Sequence, residues 1–152
     1  MNKGNILYTL ERYTEAEAAL TEAINIKPSE LAYINRGVLC AQLKNYQAAE
    51  ADYNKAIALN PSDVDAYNNR GVLRRELKNY QAAEADYNKA IALNPDFAEA
   101  YANRGILRAQ LKDYQGAEAD FTQAAQLFQK QGNMDAYQQV QQLLSQLEAS
   151  SR

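Results

Sequence analysis

Histidine is absent from this 152-residue sequence, and cysteine occurs once. The first absence removes the commonest general base and the commonest transition-metal ligand; the second leaves Cys40 without an internal disulfide partner. A reducing cytoplasm suits such a chain. Neither sign of charge dominates: 16 Lys+Arg stand against 19 Asp+Glu, a net charge of -3, which argues against a broad electrostatic grip on nucleic-acid phosphate or anionic lipid. Long apolar runs are missing too. The segment MNKGNILYTLERYTEAEAAL carries charges where a secretory signal needs an apolar stretch, and nothing elsewhere approaches the length that spans a bilayer. There is no glycine-rich phosphate loop and no cluster of metal-ligating side chains, so no cofactor or metal is expected.

What the sequence has in abundance is repetition. The nineteen residues LKNYQAAEADYNKAIALNP occur twice unchanged, from Leu43 to Pro61 and from Leu77 to Pro95, a period of 34. Gly37, Gly71 and Gly105 keep that spacing, and Gly4 and Pro28 each stand 33 residues before their next counterparts. Four units result, at 1–29, 30–63, 64–97 and 98–131, followed by a tail at 132–152. The first is incomplete, which reads as truncation of a longer array.

Each unit has helical periodicity. Ala49, Tyr53, Ala56 and Ile57, and again Ala83, Tyr87, Ala90 and Ile91, recur at steps of three and four and so share a helix face. A helix carrying Gly37, Gly71 or Gly105 precedes each of these. The Leu-Lys-Asn-Tyr joints at Leu43 and Leu77 interrupt the pattern, and Asn-Pro at Pro61 and Pro95 ends the second helix, because proline disfavours helical geometry in its predecessor. The expected unit is helix, tight turn, helix, turn. The glycines, expected to face Ala49, Ala83 and Ala117, let the two helices approach closely, with Tyr53, Tyr87 and Phe121 beside them; glycine costs roughly 1 kcal/mol of helix propensity relative to alanine. The tyrosines fall at packing positions and are read as core rather than as a base-stacking platform.

These residues resemble the tetratricopeptide repeat. The family's aromatic, Gly, Ala, aromatic, Ala and Pro are matched by Tyr33, Gly37, Ala49, Tyr53, Ala56 and Pro61, and by Tyr67, Gly71, Ala83, Tyr87, Ala90 and Pro95. The next unit has Tyr101, Gly105, Ala117, Phe121 and Ala124, with Gln129 where Pro would fall. Arg36, Arg70 and Arg104 replace the usual Leu before Gly, and Cys40, Arg74 and Arg108 the usual Tyr. The resemblance implies an all-α fold: a right-handed α-solenoid of antiparallel helix pairs. The tail completes it as a capping helix, with Gly132 ending one helix in left-handed geometry, Asn133 starting another, and Met134, Tyr137, Val140, Leu144 and Leu147 forming an apolar stripe. At the other end Ile6 and Leu10 are expected to be exposed, a route to homo-oligomerisation.

Specificity has to lie where the units differ. The first helices agree at Ala, Tyr, Asn, Arg, Gly and Leu and vary at Leu31, Ile34, Val38 and Ala41; at Asp65, Asn68, Val72 and Arg75; and at Glu99, Ala102, Ile106 and Ala109. Each set advances by three, four and three residues, one helix stripe. In the resembling family that stripe lines a concave groove holding extended or helical peptides. Within it Asn35, Asn69 and Asn103 are constant, with Asn2 upstream. Each amide offers two donors and an acceptor. Two readings stand: a ladder gripping a peptide backbone, as in superhelical members of the family, or amides bonded to neighbouring helices or water. Apolar Leu31, Ile34 and Val38 beside charged Asp65, Arg75, Glu76 and Glu99 fit a ligand with both apolar and basic residues.

Some co-chaperones of the family clamp the C-terminal carboxylate of heat-shock proteins with Lys, Asn, Asn, Lys and Arg. The matching positions are Met1, Asn5, Asn35, Asp65 and Asn69, or Ile34, Val38, Asn69, Glu99 and Asn103. Neither set holds a cation, and Asp65 and Glu99 would repel a carboxylate. Arg36, Arg70 and Arg104 share their period with Asp52, Asp86 and Asp120, which points to a salt bridge within each unit, worth roughly 0 to 1 kcal/mol if exposed. Cys40 is expected to be partly exposed but inert, lacking a nearby base. The function expected is a non-enzymatic protein-binding or peptide-binding adaptor or scaffold; the alternatives are an oligomerisation module and a regulatory fragment of a larger protein.

Overall fold

The computed structural model describes the backbone of residues 3–150 and the side chains of residues 12–149. All regular structure among these residues is helical: α1 (Lys3–Ile26), α2 (Glu30–Gln42), α3 (Tyr46–Leu59), α4 (Val64–Glu76), α5 (Tyr80–Leu93), α6 (Ala98–Gln110), α7 (Tyr114–Lys130) and α8 (Met134–Ser150). Helices adjacent in sequence pack as antiparallel pairs. The chain divides into two compact units, residues 1–69 and 70–152, the boundary falling inside α4. No described helix is long and apolar enough to cross a membrane.

The joints explain why the helices stop where they do. After α2, the Lys44 N–H bonds to the Ala41 carbonyl at 2.9 Å and the Asn45 N–H to the Cys40 carbonyl at 2.8 Å, the paired bonds of a Schellman motif. This places Lys44 at φ 61°, and Lys78 and Lys112 repeat the geometry at 61° and 64°. The left-handed region is unfavourable for a side chain with a Cβ, by about 1–2 kcal/mol, so a neighbouring interaction has to offset it. Asn45 supplies one by capping α3, its Oδ1 accepting the Ala48 N–H at 3.4 Å; Asp113 does the same for the Gly116 N–H at 3.0 Å. Asn45 and Asp113 therefore close one helix and open the next, whereas Asn79 closes α4 without a side-chain bond to α5.

α1 departs from the expected helix-turn-helix. It runs unbroken through Leu10, Glu11, Arg12 and Tyr13, the counterparts of a Leu-Lys-Asn-Tyr joint. Arginine stands where Asn45 or Asp113 caps, and it has no acceptor to offer a free N–H, so the helix continues. Past α7 the tail behaves as read: Gly132 has φ 72° with its N–H bonded to the Gln129 carbonyl, and Asn133 Oδ1 accepts the Ala136 N–H at 3.2 Å. With Gln129 in place of proline, α7 extends to Lys130.

Inside the first unit, Ile34, Ala56 and Ala66 form a buried cluster with Tyr33, Val38 and Ile57 packed against it. In the second, Ala83, Tyr87 and Leu107 form one cluster, and Ala98, Phe121, Ala124, Leu127, Phe128, Val140 and Leu147 belong to a larger one spanning α6, α7 and α8. The glycines sit directly against aromatic rings. A Cβ at Gly37, Gly71 or Gly105 would lie 2.7, 2.6 or 2.7 Å from the ring of Tyr53, Tyr87 or Phe121. Such contacts force displacement of a fully buried ring, so the close approach outweighs the helix propensity that alanine would restore.

Candidate functional site

The stripe expected to bind a ligand divides by depth. Leu31 is 63% exposed, and Asn35, Asp65 and Glu99 also face outward. Ile34 is core, packed on Ala56 and Ala66, and Asn68 is buried and already engaged. Both lie one turn along from the exposed members, on the side of the stripe that the protein covers. Val38 packs against the Ile34 cluster, Val72 against Ala83, Tyr87 and Leu107, and Ala102 and Ile106 against the α6–α8 core. These four are half-buried. Asn69 and Asn103 are half-buried as well, and Asn103 has a partner within the protein. Asn2 lies outside the described residues, as do Met1 and the side chains of Asn5, Ile6 and Leu10.

Arg75 reaches inward. Its Nη1 is buried without a hydrogen-bond partner, near the Tyr87 hydroxyl, which is also buried and unpaired. Burial, the largest influence, pushes the Tyr87 phenol up to about 12, with Arg75 opposing the shift. The counterparts of these two residues are Ala109 and Phe121. A cavity of about 330 Å³ lies over this second pair, walled by Ile106, Tyr114, Leu143 and Leu147, with the amides of Gln110 and Gln146. Of its lining residues Ile106 and Ala109 belong to the variable stripe read from the sequence. The missing signal is the closeness of α8 to α6, although the small Ala109 in place of Arg75 marks where space would open.

The arginine–aspartate pairs form as expected but are buried, which changes their energetics. Arg36 Nε and Nη2 donate to Asp52 at 2.8 and 2.6 Å, Arg70 to Asp86 at 2.9 and 2.6 Å, and Arg104 to Asp120 at 2.9 and 2.6 Å. The aspartates are only 3–4% exposed. Removing one partner of a pair at this depth costs several times the surface value assumed from sequence. Arg74 donates a further bond to Asp86, and Arg108 bonds Asp120 at 3.0 Å and Glu84 at 3.1 Å. All these arginines are engaged in holding helices together.

Cys40 stands where Arg74 and Arg108 stand in later units, and it is buried rather than partly exposed. Its thiol donates toward Glu17 on α1 at 3.9 Å. Burial first, and then Glu17, push the thiol pKa up, against thiolate formation and hence against nucleophilic chemistry. Among the described residues no group of three or more potential metal ligands gathers.

Family models described as tetratricopeptide repeat match residues 1–30, 31–63, 64–97 and 86–119. The chain belongs to the tetratricopeptide-repeat family. Solved structures with this fold include the TPR2B domain of yeast Sti1 in complex with an Hsp70 peptide, at 23% identity and TM-score 0.75, covering 80% of this chain and 97% of that one. This likeness establishes the fold alone. The TPR domain of Arabidopsis OM64 is 28% identical with TM-score 0.67, covering 78% of this chain and 95% of its own. The first TPR of Spaghetti (RPAP3), bound to the HSP90 peptide SRMEEVD, is 27% identical with TM-score 0.64, covering 77% and 94%. No curated protein sequence matches the chain. Tetratricopeptide repeats make this a protein-interaction fold, and peptides occupy some of its structural relatives.

Proposed function

We propose that this tetratricopeptide-repeat protein is a non-enzymatic adaptor or assembly scaffold that binds a peptide segment of a partner protein along the variable face of its first helices. The observation that carries this reading is the face of α6, where exposed Glu99 is followed by half-buried Ala102, Asn103, Ile106 and Ala109, the last two lining an open cavity. A half-buried apolar strip with interspersed amides offers both desolvation and backbone hydrogen bonds to an incoming chain. In the first unit Leu31 and Asn35 on α2 and Asp65 on α4 hold the corresponding positions of their own helices and are exposed.

The ligand differs in charge from the acidic peptide held by Spaghetti. Asp65 and Glu99 are exposed where a carboxylate clamp needs cations, so the preferred segment is apolar and basic. The cytoplasm remains the proposed compartment for a chain whose sole cysteine is buried and reduced.

Selection of random peptides against the wild type and an Asn35→Ala/Asn69→Ala/Asn103→Ala variant tests the reading, with circular dichroism to verify folding. The wild type should enrich a motif that the variant loses. Identical enrichment by both would make the amides structural, and no enrichment by the wild type would refute peptide binding.

A further inference from the structure

Arg36, Arg70, Arg74, Arg104 and Arg108 each donate to a buried aspartate. Arg75 does not. Its Nη1 is buried without an acceptor, and beside it the Tyr87 hydroxyl is buried and unpaired as well. Neither nearby carboxylate serves them: Asp86 is taken by Arg70 and Arg74, and Glu76, the last residue of α4, is exposed. An arginine at the end of a helix ordinarily carries its guanidinium out to water on a flexible stem. Here the side chain turns inward instead, and two adjacent donors are withdrawn from water with nothing to receive their protons.

We infer that Arg75 and Tyr87 form a carboxylate subsite, both donating to one carboxylate of the bound peptide segment. The inference deepens the peptide-binding reading and rests on it.

Chemistry and position select this occupant. A guanidinium and a phenol side by side offer hydrogens and a positive charge, and an ionised carboxylate is acceptor-only, with an oxygen for each donor and the opposite charge. An amide or hydroxyl would leave the cation unbalanced. Arg75 lies one turn beyond Val72 on the same face of α4, and Val72 packs on the cluster of Ala83, Tyr87 and Leu107. Being half-buried, Arg75 reaches from that cluster to the surface of the variable stripe. Within the second unit the exposed Glu99 suits a cation and Arg75 an anion, so the segment carries both signs. Repetition supplies an internal control. Tyr53 lies in the same nineteen-residue sequence as Tyr87, in the repeat with Ala41 at the arginine position, and it has a partner within the protein. In the last repeat Ala109 and Phe121 remove the cation and the hydroxyl together. Of the three complete repeats, the middle one alone keeps both groups and leaves both without an acceptor.

The test uses the full chain and affinity selection from a soluble library of random dodecapeptides with free C-termini, read by mass spectrometry; selected peptides are resynthesised and their affinities measured by fluorescence anisotropy. Neutralising the carboxylate, as Gln or Asn for a side chain or as the amide for the C-terminus, should weaken wild-type binding about tenfold, the scale of one lost charge-assisted hydrogen bond. Whichever replacement does so identifies the source. Arg75→Ala should bind the native and neutralised peptides alike, because the group in which they differ has lost its donor. The substitution copies Ala41 and Ala109 and removes an unpaired buried donor, so the melting temperature followed by circular dichroism should not fall; Arg75→Gln gives the same comparison if alanine unfolds the chain. Equal discrimination by the wild type and the variant would place the carboxylate elsewhere, and no discrimination by the wild type would remove it. In both cases peptide binding stands and this subsite is wrong. If the wild type enriches nothing, both fall.

Discussion

The two units interpret one repeat template with different results. In the second, Leu111, Lys112, Asp113 and Tyr114 stop one helix and start another; in the first, Leu10, Glu11, Arg12 and Tyr13 keep the flanking leucine and tyrosine and make no turn. The apolar pattern cannot therefore be what breaks the chain. What distinguishes the joints is the residue before the tyrosine: Asn45 and Asp113 accept an N–H of the next helix, Asn79 turns the chain without that bond, and Arg12 has no acceptor to offer. The same units differ in their ion pairs: Asp52 is bound by Arg36, whereas Asp120 is gripped by both Arg104 and Arg108. Substituting cysteine for one arginine removes a cross-link and leaves the fold.

The largest effect expected from this contrast comes from the carboxylates. Asp120→Ala, which takes the buried carboxylate from two arginines, should cost about 3 kcal/mol in urea unfolding, and Asp52→Ala less. Equal losses would show that the second arginine adds nothing.

Next in size is the aromatic position. Tyr87→Phe installs the residue found at Phe121 and removes an unpaired buried hydroxyl, so it should stabilise by about 1–2 kcal/mol. It should also flatten the alkaline limb. The phenol is held up at about 12 in the folded protein, above its ordinary value of roughly 10, so the folded state keeps a proton that the unfolded chain releases. The stability that this proton contributes is complete below the unfolded value and is lost as pH rises toward the folded one. Wild type, but not Tyr87→Phe, should show that loss in melts across this window.

Smallest in energy, but most direct, is a transplant of the joint. Glu11→Lys/Arg12→Asn should shorten α1 and reduce amide protection around Leu10 to Tyr13 in hydrogen exchange. Unchanged protection would place the turn signal elsewhere than in the cap.

Much of this was legible in the sequence. The period, the glycine–aromatic positions, the arginine–aspartate partners and the Gly132–Asn133 stop and start all follow from spacing and residue chemistry. What escaped was depth. A stripe at helical spacing does not reveal which members the rest of the protein covers, so Ile34 and Asn68 read like Leu31 and Asp65 although they are buried. The ion pairs were placed correctly and undervalued for the same reason. Left-handed Lys44, Lys78 and Lys112 escaped because lysine is no marker of that conformation, and the cavity because it depends on how near α8 comes to α6.

Asn45, and likewise Asp113, belongs to two helices at once, and so is expected to couple the fraying of their ends. Releasing the side chain uncaps the later helix, and releasing the backbone N–H unties the earlier one. A helix pair joined in this way is expected to open and close as a single foldon. Where the repeat has the cap, unfolding should proceed in whole hairpins; α1, which lacks it, is free to melt turn by turn.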